Sequence, residues 1–231
     1  MKITVIIAAY NEEKTIAEII KKVLAVKFQN SFAIGQIIVV DDGSTDRTQT
    51  ALKNFSKNPK IQIITNPKNL GKGASIIKAL KIAKGNIILT QDADLEYDPN
   101  DIPCLIEPFK SPDVRVVYGS RMLAKNHPVS HWTFNLGGQL VTQITNLLFR
   151  TNITDEPSGY KVFKREVISK MDLKSKGFEF CPEVTAKVAK LGLTIYEVPI
   201  SYNPRPMNEK KIKWHDGVLA IYYLFKYRFF N

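Results

Sequence analysis

The chain has 231 residues, 44% of them hydrophobic, and a formal net charge of +11. That apolar content can bury a substantial core, and no Pro/Gly/Ser-rich linker or repeat divides the chain, so one domain over 1–231 is expected. Two cysteines, Cys104 and Cys181, are too few for a disulfide framework and point to a reducing compartment. Nucleic acid is excluded as a partner. No basic run is interleaved with aromatics in a recognisable motif, and Asp41, Asp42, Asp92 and Asp94 would repel a phosphate backbone, so the surplus lysine suits an anionic membrane surface better.

In chain order, Met1 to Ala9 reads as a strand rather than a signal peptide, since one lysine precedes a short apolar run that leads straight into Tyr10-Asn11-Glu12. Ile16, Ile19, Ile20, Val23 and Leu24 then keep helical spacing. The β-branched run Gln36 to Val40 predicts a buried strand ending at Asp41-Asp42-Gly43-Ser44, after which Ser44, Thr45 or Asp46 can cap a helix through Leu52 and Phe55. Ile76, Ile77, Leu80 and Ala83 predict a helix closed by Gly85. Asn86 to Thr90 predicts a second buried strand, ending at Asp92-Ala93-Asp94, where Asp92 could alternatively cap a turn before Asp98-Pro99. Further strands are expected at Val114–Tyr118 and Ile195–Val198, completing the alternation that a parallel sheet requires.

Two helices carry apolar faces of their own. Over Leu136 to Phe149, Leu140, Val141, Ile144, Leu147 and Leu148 share a face opposite Thr142, Gln143, Thr145 and Asn146, and core packing or a dimer contact is expected for it. From Arg205 to Asn231, six basic residues stand against Glu209 and Asp216, and Val218 to Phe225 is apolar and aromatic. Basic residues beside tyrosine and phenylalanine suit an interfacial helix, and the run is too short to span a bilayer.

The chemistry concentrates at the two acidic clusters. Carboxylates at the carboxyl ends of neighbouring parallel strands form a site for a divalent cation and a phosphorylated nucleotide. Asp-x-Asp suits Mg²⁺ or Mn²⁺, hard ions usually held by one or two carboxylates plus substrate phosphates, and that arrangement would neutralise a departing pyrophosphate. Gly71-Lys72-Gly73 lacks P-loop spacing; it reads as a glycine turn bringing Lys72 to the nucleotide, or else as an ordinary helix start.

Ala9-Tyr10-Asn11-Glu12, Asp41-Asp42-Gly43-Ser44 with Asp46 and Thr48, Asn69-Leu70-Gly71-Lys72-Gly73, and Gln91-Asp92-Ala93-Asp94-Leu95-Glu96 together resemble a family 2 glycosyltransferase of the dolichol-phosphate mannose synthase-like, polyprenyl-phosphate group. Gly119-Ser120-Arg121, Asp155 with Ser158-Gly159-Tyr160-Lys161, and Phe178 to Glu183 extend the resemblance beyond residue 200 in order and spacing. It implies a GT-A type fold with a Rossmann-like, mostly parallel sheet flanked by helices and a C-terminal amphipathic helix. It also implies a nucleotide-sugar half (1–100), an acceptor half (101–205) and a membrane-facing basic-aromatic tail (206–231). Nucleotide-sugar contacts would come from Ala9, Tyr10, Glu12, Asp41, Gly43, Lys72, Asp92 and Ala93, and a Mg²⁺ or Mn²⁺ ion from Asp92, Asp94 and Glu96. Asp94, Arg121 and Asp155 would be catalytic, and Arg121, Lys125 and His131 would meet the acceptor phosphate.

The expected partners are a nucleoside-diphosphate sugar, GDP- or UDP-linked, a dolichyl or undecaprenyl phosphate and the cytoplasmic membrane face, with a membrane subunit or homo-oligomer as a further option. The chain departs from its relatives in having no arginine between Met122 and Leu148, Asn208-Glu209 before Lys210-Lys211-Ile212, and an end at Asn231 without appended transmembrane helices. His127, His131 and His215 do not form a zinc set, because Pro128 interrupts the one helical spacing. An inverting in-line displacement is expected, with Asp155 positioning the acceptor or, for a saccharide hydroxyl, removing its proton. A non-catalytic nucleotide-sugar-binding subunit is the third alternative, against which the intact Asp-x-Asp stands.

Overall fold

The computed structural model describes residues 1–29, 31–125, 132–206 and 209–230. In chain order the elements are β1 (Lys2–Ala9), α1 (Ile16–Ala25), β2 (Ala33–Asp41), α2 (Thr48–Lys53), β3 (Ile61–Thr65), α3 (Lys72–Leu80), β4 (Ile87–Asp92), α4 (Ile102–Ile106) and β5 (Val116–Ser120). They continue with α5 (Trp132–Phe149), β6 (Lys161–Lys164), α6 (Arg165–Ile168), α7 (Phe180–Lys190), β7 (Ile195–Pro199) and α8 (Trp214–Phe229). The strands form one sheet in the order β3-β2-β1-β4-β6-β5-β7. Only β6 runs against its neighbours, so the sheet is mostly parallel, as the alternating pattern predicts.

The β-branched runs are apolar on both sides because both faces of the sheet are covered. Val5, Ile7, Ile37, Val39 and Leu89 meet α1 and α4 through Ile16, Ile19, Ile20, Ile102, Leu105 and Ile106. Ile6, Ile38, Val40, Ile88 and Phe163 meet α3 and α7 on the other face through Ile76, Ala79, Phe180, Val184 and Val188. Truncating any of these fully buried branched side chains to alanine costs about 2–5 kcal/mol. A third, smaller cluster joins α5, α7 and α8 through Val141, Phe149, Ala186, Leu224 and Tyr227.

Three expectations change. Gly85 is not a helix cap, because α3 ends at Leu80; a Cβ at Gly85 would lie 2.5 Å from the Thr4 nitrogen, so this glycine lets the chain pass against β1. The turn before Pro99 is capped by Asp98, which accepts from the Asn100 N–H at 3.0 Å, rather than by Asp92. The face of α5 is rotated relative to the expected one: Thr142 and Thr145 are buried while Leu136, Leu140 and Leu147 are exposed, Leu147 at 81%. Both threonine hydroxyls bond back to the helix, to the carbonyls of Gly138 (2.9 Å) and Val141 (2.8 Å), and can therefore be buried, which hydropathy does not register. Among the described residues no helix is long and apolar enough to cross a membrane.

Candidate active site

Strand register brings the two acidic clusters together. Ala9 at the end of β1 pairs with Asp41 of β2 on one side, and Ala8 pairs with Asp92 of β4 on the other. Both clusters therefore sit beside the Tyr10-Asn11-Glu12 turn, at the carboxyl edge where open α/β sheets bind ligands. Asn11, with φ of 51°, ties this turn to the loop after β2: its N–H donates to Ser44 Oγ at 3.0 Å and its Oδ1 accepts from the Thr45 N–H at 2.8 Å.

The adjacent aspartates of the first cluster do different work. Asp42 is saturated, accepting from Asn66 Nδ2 (2.8 Å), the Leu70 N–H (2.9 Å) and the Gly71 N–H (2.8 Å), which fixes the loop into α3. Asp41 is fully buried; its Oδ1 accepts from the Ser44 N–H at 3.1 Å, but its Oδ2 has no partner. An unsatisfied buried carboxylate oxygen is costly, and Asp41, expected to contact the nucleotide sugar, does not line the cavity described below. Gly43 (φ 70°) is required because a Cβ there would collide with the Lys68 backbone, and it does not line the cavity described below.

Lys72 is the first residue of α3, so the Gly-Lys-Gly segment is a helix start, and its ammonium pairs with Asp92. Burial works against that charge, yet Asp92, Cys181 and Asp94 together hold the lysine above its usual range. The helix N-terminus itself is not available to a phosphate: the N–H groups of Gly73 and Ala74 donate to the carbonyls of Gly177 (3.2 Å) and Lys176 (3.0 Å). That loop is held in turn by Glu179, which accepts from the Lys176 and Gly177 N–H groups, and by Glu183, which accepts from those of Lys174 and Ser175. The Phe178–Glu183 motif therefore builds the wall behind Lys72.

On the β4 side, Asp92 is seated against Gly159, where a Cβ would collide with its Oδ2. Burial, together with the charges of Asp92 and Glu96, pushes the Asp94 carboxyl up to about 7, against the opposing pull of Arg205. Arg205 Nη2 lies 2.7 Å from Asp94 Oδ2 and its Nη1 3.2 Å from Glu12 Oε1, while its backbone N–H donates to Glu96 Oε1 at 2.9 Å. Lys211 reaches Glu12 Oε1 at 2.6 Å and Lys210 approaches Glu96 at 3.7 Å. Among the described residues no three carboxylate, imidazole or thiolate groups converge into a ready metal site. Asp92 and Asp94 nevertheless carry the hard oxygen donors that Mg²⁺ or Mn²⁺ prefers.

Arg121, just past β5, is clamped by Asp155: Nε and the backbone N–H reach Oδ2 at 2.7 and 2.9 Å, and Nη2 reaches Oδ1 at 2.7 Å. Burial opposes the guanidinium, but the Asp155 carboxylate that grips it holds it ionised. Two of its five N–H groups serve Asp155, which leaves capacity for a phosphate. Beneath this pair, fully buried Lys161 donates to the Glu156 carbonyl at 2.8 Å and lies 3.6 Å over the Tyr118 ring, locking the 155–161 segment. Lys125 is exposed and does not line the cavity. His131 and His127 lie outside the described residues.

These groups share one cavity of about 920 Å³. Ala9, Tyr10, Glu12, Lys72, Asp92, Ala93, Asp94 and Glu96 line one part, and Arg121 and Asp155 another; Phe134, Val141, Trp214 and Ala220 carry it to α5 and α8. Arg205, Lys210, Lys211, Tyr97 and Tyr202 line it as well, although sequence patterning places the three basic residues in or beside the tail. Buried Glu12 and partly buried Asp94 and Glu96 need counter-ions, and that need is the one signal in the sequence that could have drawn these cations inward.

Residues 4–172 match the family model for Glycosyl transferase family 2. The chain is 32% identical over 219 residues to a dolichol-phosphate mannosyltransferase of Pyrococcus furiosus, covering 92% of this chain and 60% of that protein. It is 31% identical over 218 residues to the low-salt glycan biosynthesis hexosyltransferase Agl6 of Haloferax volcanii, covering 93% and 51% respectively. It thus spans between about half and three-fifths of these two relatives' lengths. A glucosyl-3-phosphoglycerate synthase from Mycobacterium tuberculosis, solved with Mg²⁺ and uridine diphosphate, superposes with a TM-score of 0.73 at 19% identity, covering 98% of this chain and 79% of that one. The same protein solved with Mn²⁺, uridine diphosphate and phosphoglyceric acid gives 0.70 at 19% identity, covering 98% and 76%. With its mostly parallel sheet and its paired acidic loops, the chain belongs to glycosyl transferase family 2 and has the GT-A fold.

Proposed function

We propose that this glycosyltransferase moves a hexose from a nucleoside-diphosphate sugar to a polyprenyl phosphate at a membrane surface. The observation that carries the choice of acceptor is the Arg121–Asp155 clamp. A saccharide hydroxyl would need a base, and Asp155 is committed to three hydrogen bonds. A phosphate oxygen is already ionised near neutral pH and needs orientation instead, which the Arg121 fork supplies.

The donor would lie over the β1 and β2 ends, with Tyr10 beside the nucleoside. When bound by Asp92 and Asp94, a Mg²⁺ or Mn²⁺ ion supplies positive charge against the departing diphosphate. Lys72, at the start of α3, would meet the donor nucleotide, and Arg121 aims the acceptor oxygen at the anomeric carbon. The new carbon–oxygen bond forms as the bond to the diphosphate breaks, the nucleoside diphosphate leaves with the electron pair, and configuration inverts.

The same cavity reaches α5 and α8, whose outer faces expose Leu136, Leu140, Trp214, Tyr222, Phe225 and Phe229 beside Lys226 and Arg228. Aromatic rings with basic residues suit the interface of an anionic membrane, here the cytoplasmic face, and would set the lipid tail beside the catalytic groups. Incubation with Mn²⁺ or Mg²⁺, a panel of GDP- and UDP-sugars and a short polyprenyl phosphate, read by mass spectrometry, tests the proposal. A sugar-phosphate-lipid supports it. Metal-dependent nucleotide binding without such a product contradicts the lipid acceptor.

A further inference from the structure

The acidic pocket is filled by the protein's own cations. Arg205 contacts Asp94 at 2.7 Å and Glu12 at 3.2 Å, with its Nε 3.8 Å from Glu96. Lys211 pairs with Glu12 at 2.6 Å and also donates to the carbonyls of Tyr10 and of Asn11 (3.2 Å), while Lys210 stands 3.7 Å from Glu96. All three come from the stretch between β7 and α8, and they cover the turn where the donor nucleoside would lie. The fit is imperfect: Arg205 Nε is buried with no hydrogen-bond partner.

A guanidinium hydrogen-bonded to Asp94 and a divalent cation coordinated by it would compete for the same carboxylate, and like charges at that separation repel. We propose that Arg205, supported by Lys210 and Lys211, is a counter-ion strap. It satisfies Glu12, Asp94 and Glu96 and must leave Asp94 and Glu96 when a divalent cation binds. The inference rests on the metal assignment above, and it adds that a divalent cation competes with Arg205 for Asp94 and that ion binding is coupled to movement of Arg205.

The test is Mn²⁺ affinity of the whole chain without donor or acceptor, measured by electron paramagnetic resonance of the unbound ion. Arg205→Gln should bind Mn²⁺ roughly tenfold more tightly than wild type. Lys226→Gln, the same change of charge on α8, should shift affinity by less than about twofold, since exposed charges at a distance are screened. Unchanged or weaker Mn²⁺ binding in Arg205→Gln would overturn the strap, as would an equal gain in Lys226→Gln. Should Arg205→Gln fail to fold, the Lys210→Gln/Lys211→Gln double variant carries the test, with a gain of about fivefold expected and no gain counting against the strap. Because no sugar is transferred in this measurement, tighter Mn²⁺ binding supports the strap even where the transfer assay fails, and unchanged binding overturns it even where transfer succeeds.

Discussion

Asp41 and Asp42 are neighbours with opposite assignments, and hydrogen-bond count separates them. Asp42 accepts three hydrogen bonds within the protein, whereas one oxygen of Asp41 has no partner. Asp42→Ala should therefore cost roughly 3 kcal/mol, the loss of charge-assisted bonds to two backbone amides and Asn66, visible as a lowered melting temperature. Gly159→Ala should act the other way. Its Cβ would displace the Asp92 carboxylate and press on the Tyr97 ring at 3.1 Å, so the loss should fall on turnover, at least about tenfold, in a chain that still folds. A variant with native turnover would remove Asp92 from the site. Neither contact is legible in the sequence, where Asp41-Asp42 is a doublet and Gly159 one member of the Ser158-Gly159-Tyr160-Lys161 segment, because both depend on what another loop brings to them.

At the scale of elements, the strands that end in acid were legible because burial on both faces leaves unbroken β-branched runs, and the same applies to α1 with its four buried positions. The face of α5 was not, since threonine hydroxyls that bond their own helix count as polar in any hydropathy pattern. The tail was legible in part: α8 forms where its aromatics are, but Arg205, Lys210 and Lys211 turn inward rather than toward a membrane. The exposed outer residues of α5 and α8 can be changed without disturbing the Leu224–Tyr227 contact that holds α8 in place. Trp214→Ser together with Phe229→Ser should cut sedimentation with anionic liposomes several-fold while leaving the melting temperature within about 2 °C of wild type, as for exposed sites generally. Undiminished sedimentation would contradict docking through this face.

For the molecule as a whole, an acidic pocket is set in a chain of net charge +11. In the proposed reaction the surrounding positive field would draw anionic donor, acceptor phosphate and lipid surface together, and the carboxylates of the pocket would take a cation within it. Liposome binding should accordingly weaken as salt rises from 50 to 500 mM, over which the screening length falls from roughly 14 to 4 Å. The central claim concerns the acceptor: an ionised phosphate oriented by Arg121, with Asp155 tied down as its clamp. The direct measurement compares a short polyprenyl phosphate with the polyprenol of the same tail as acceptors, under the same donor and metal. Transfer to the phosphate alone, lost in Arg121→Ala, is the predicted result; equal transfer to the free alcohol would contradict it and return Asp155 to the role of base.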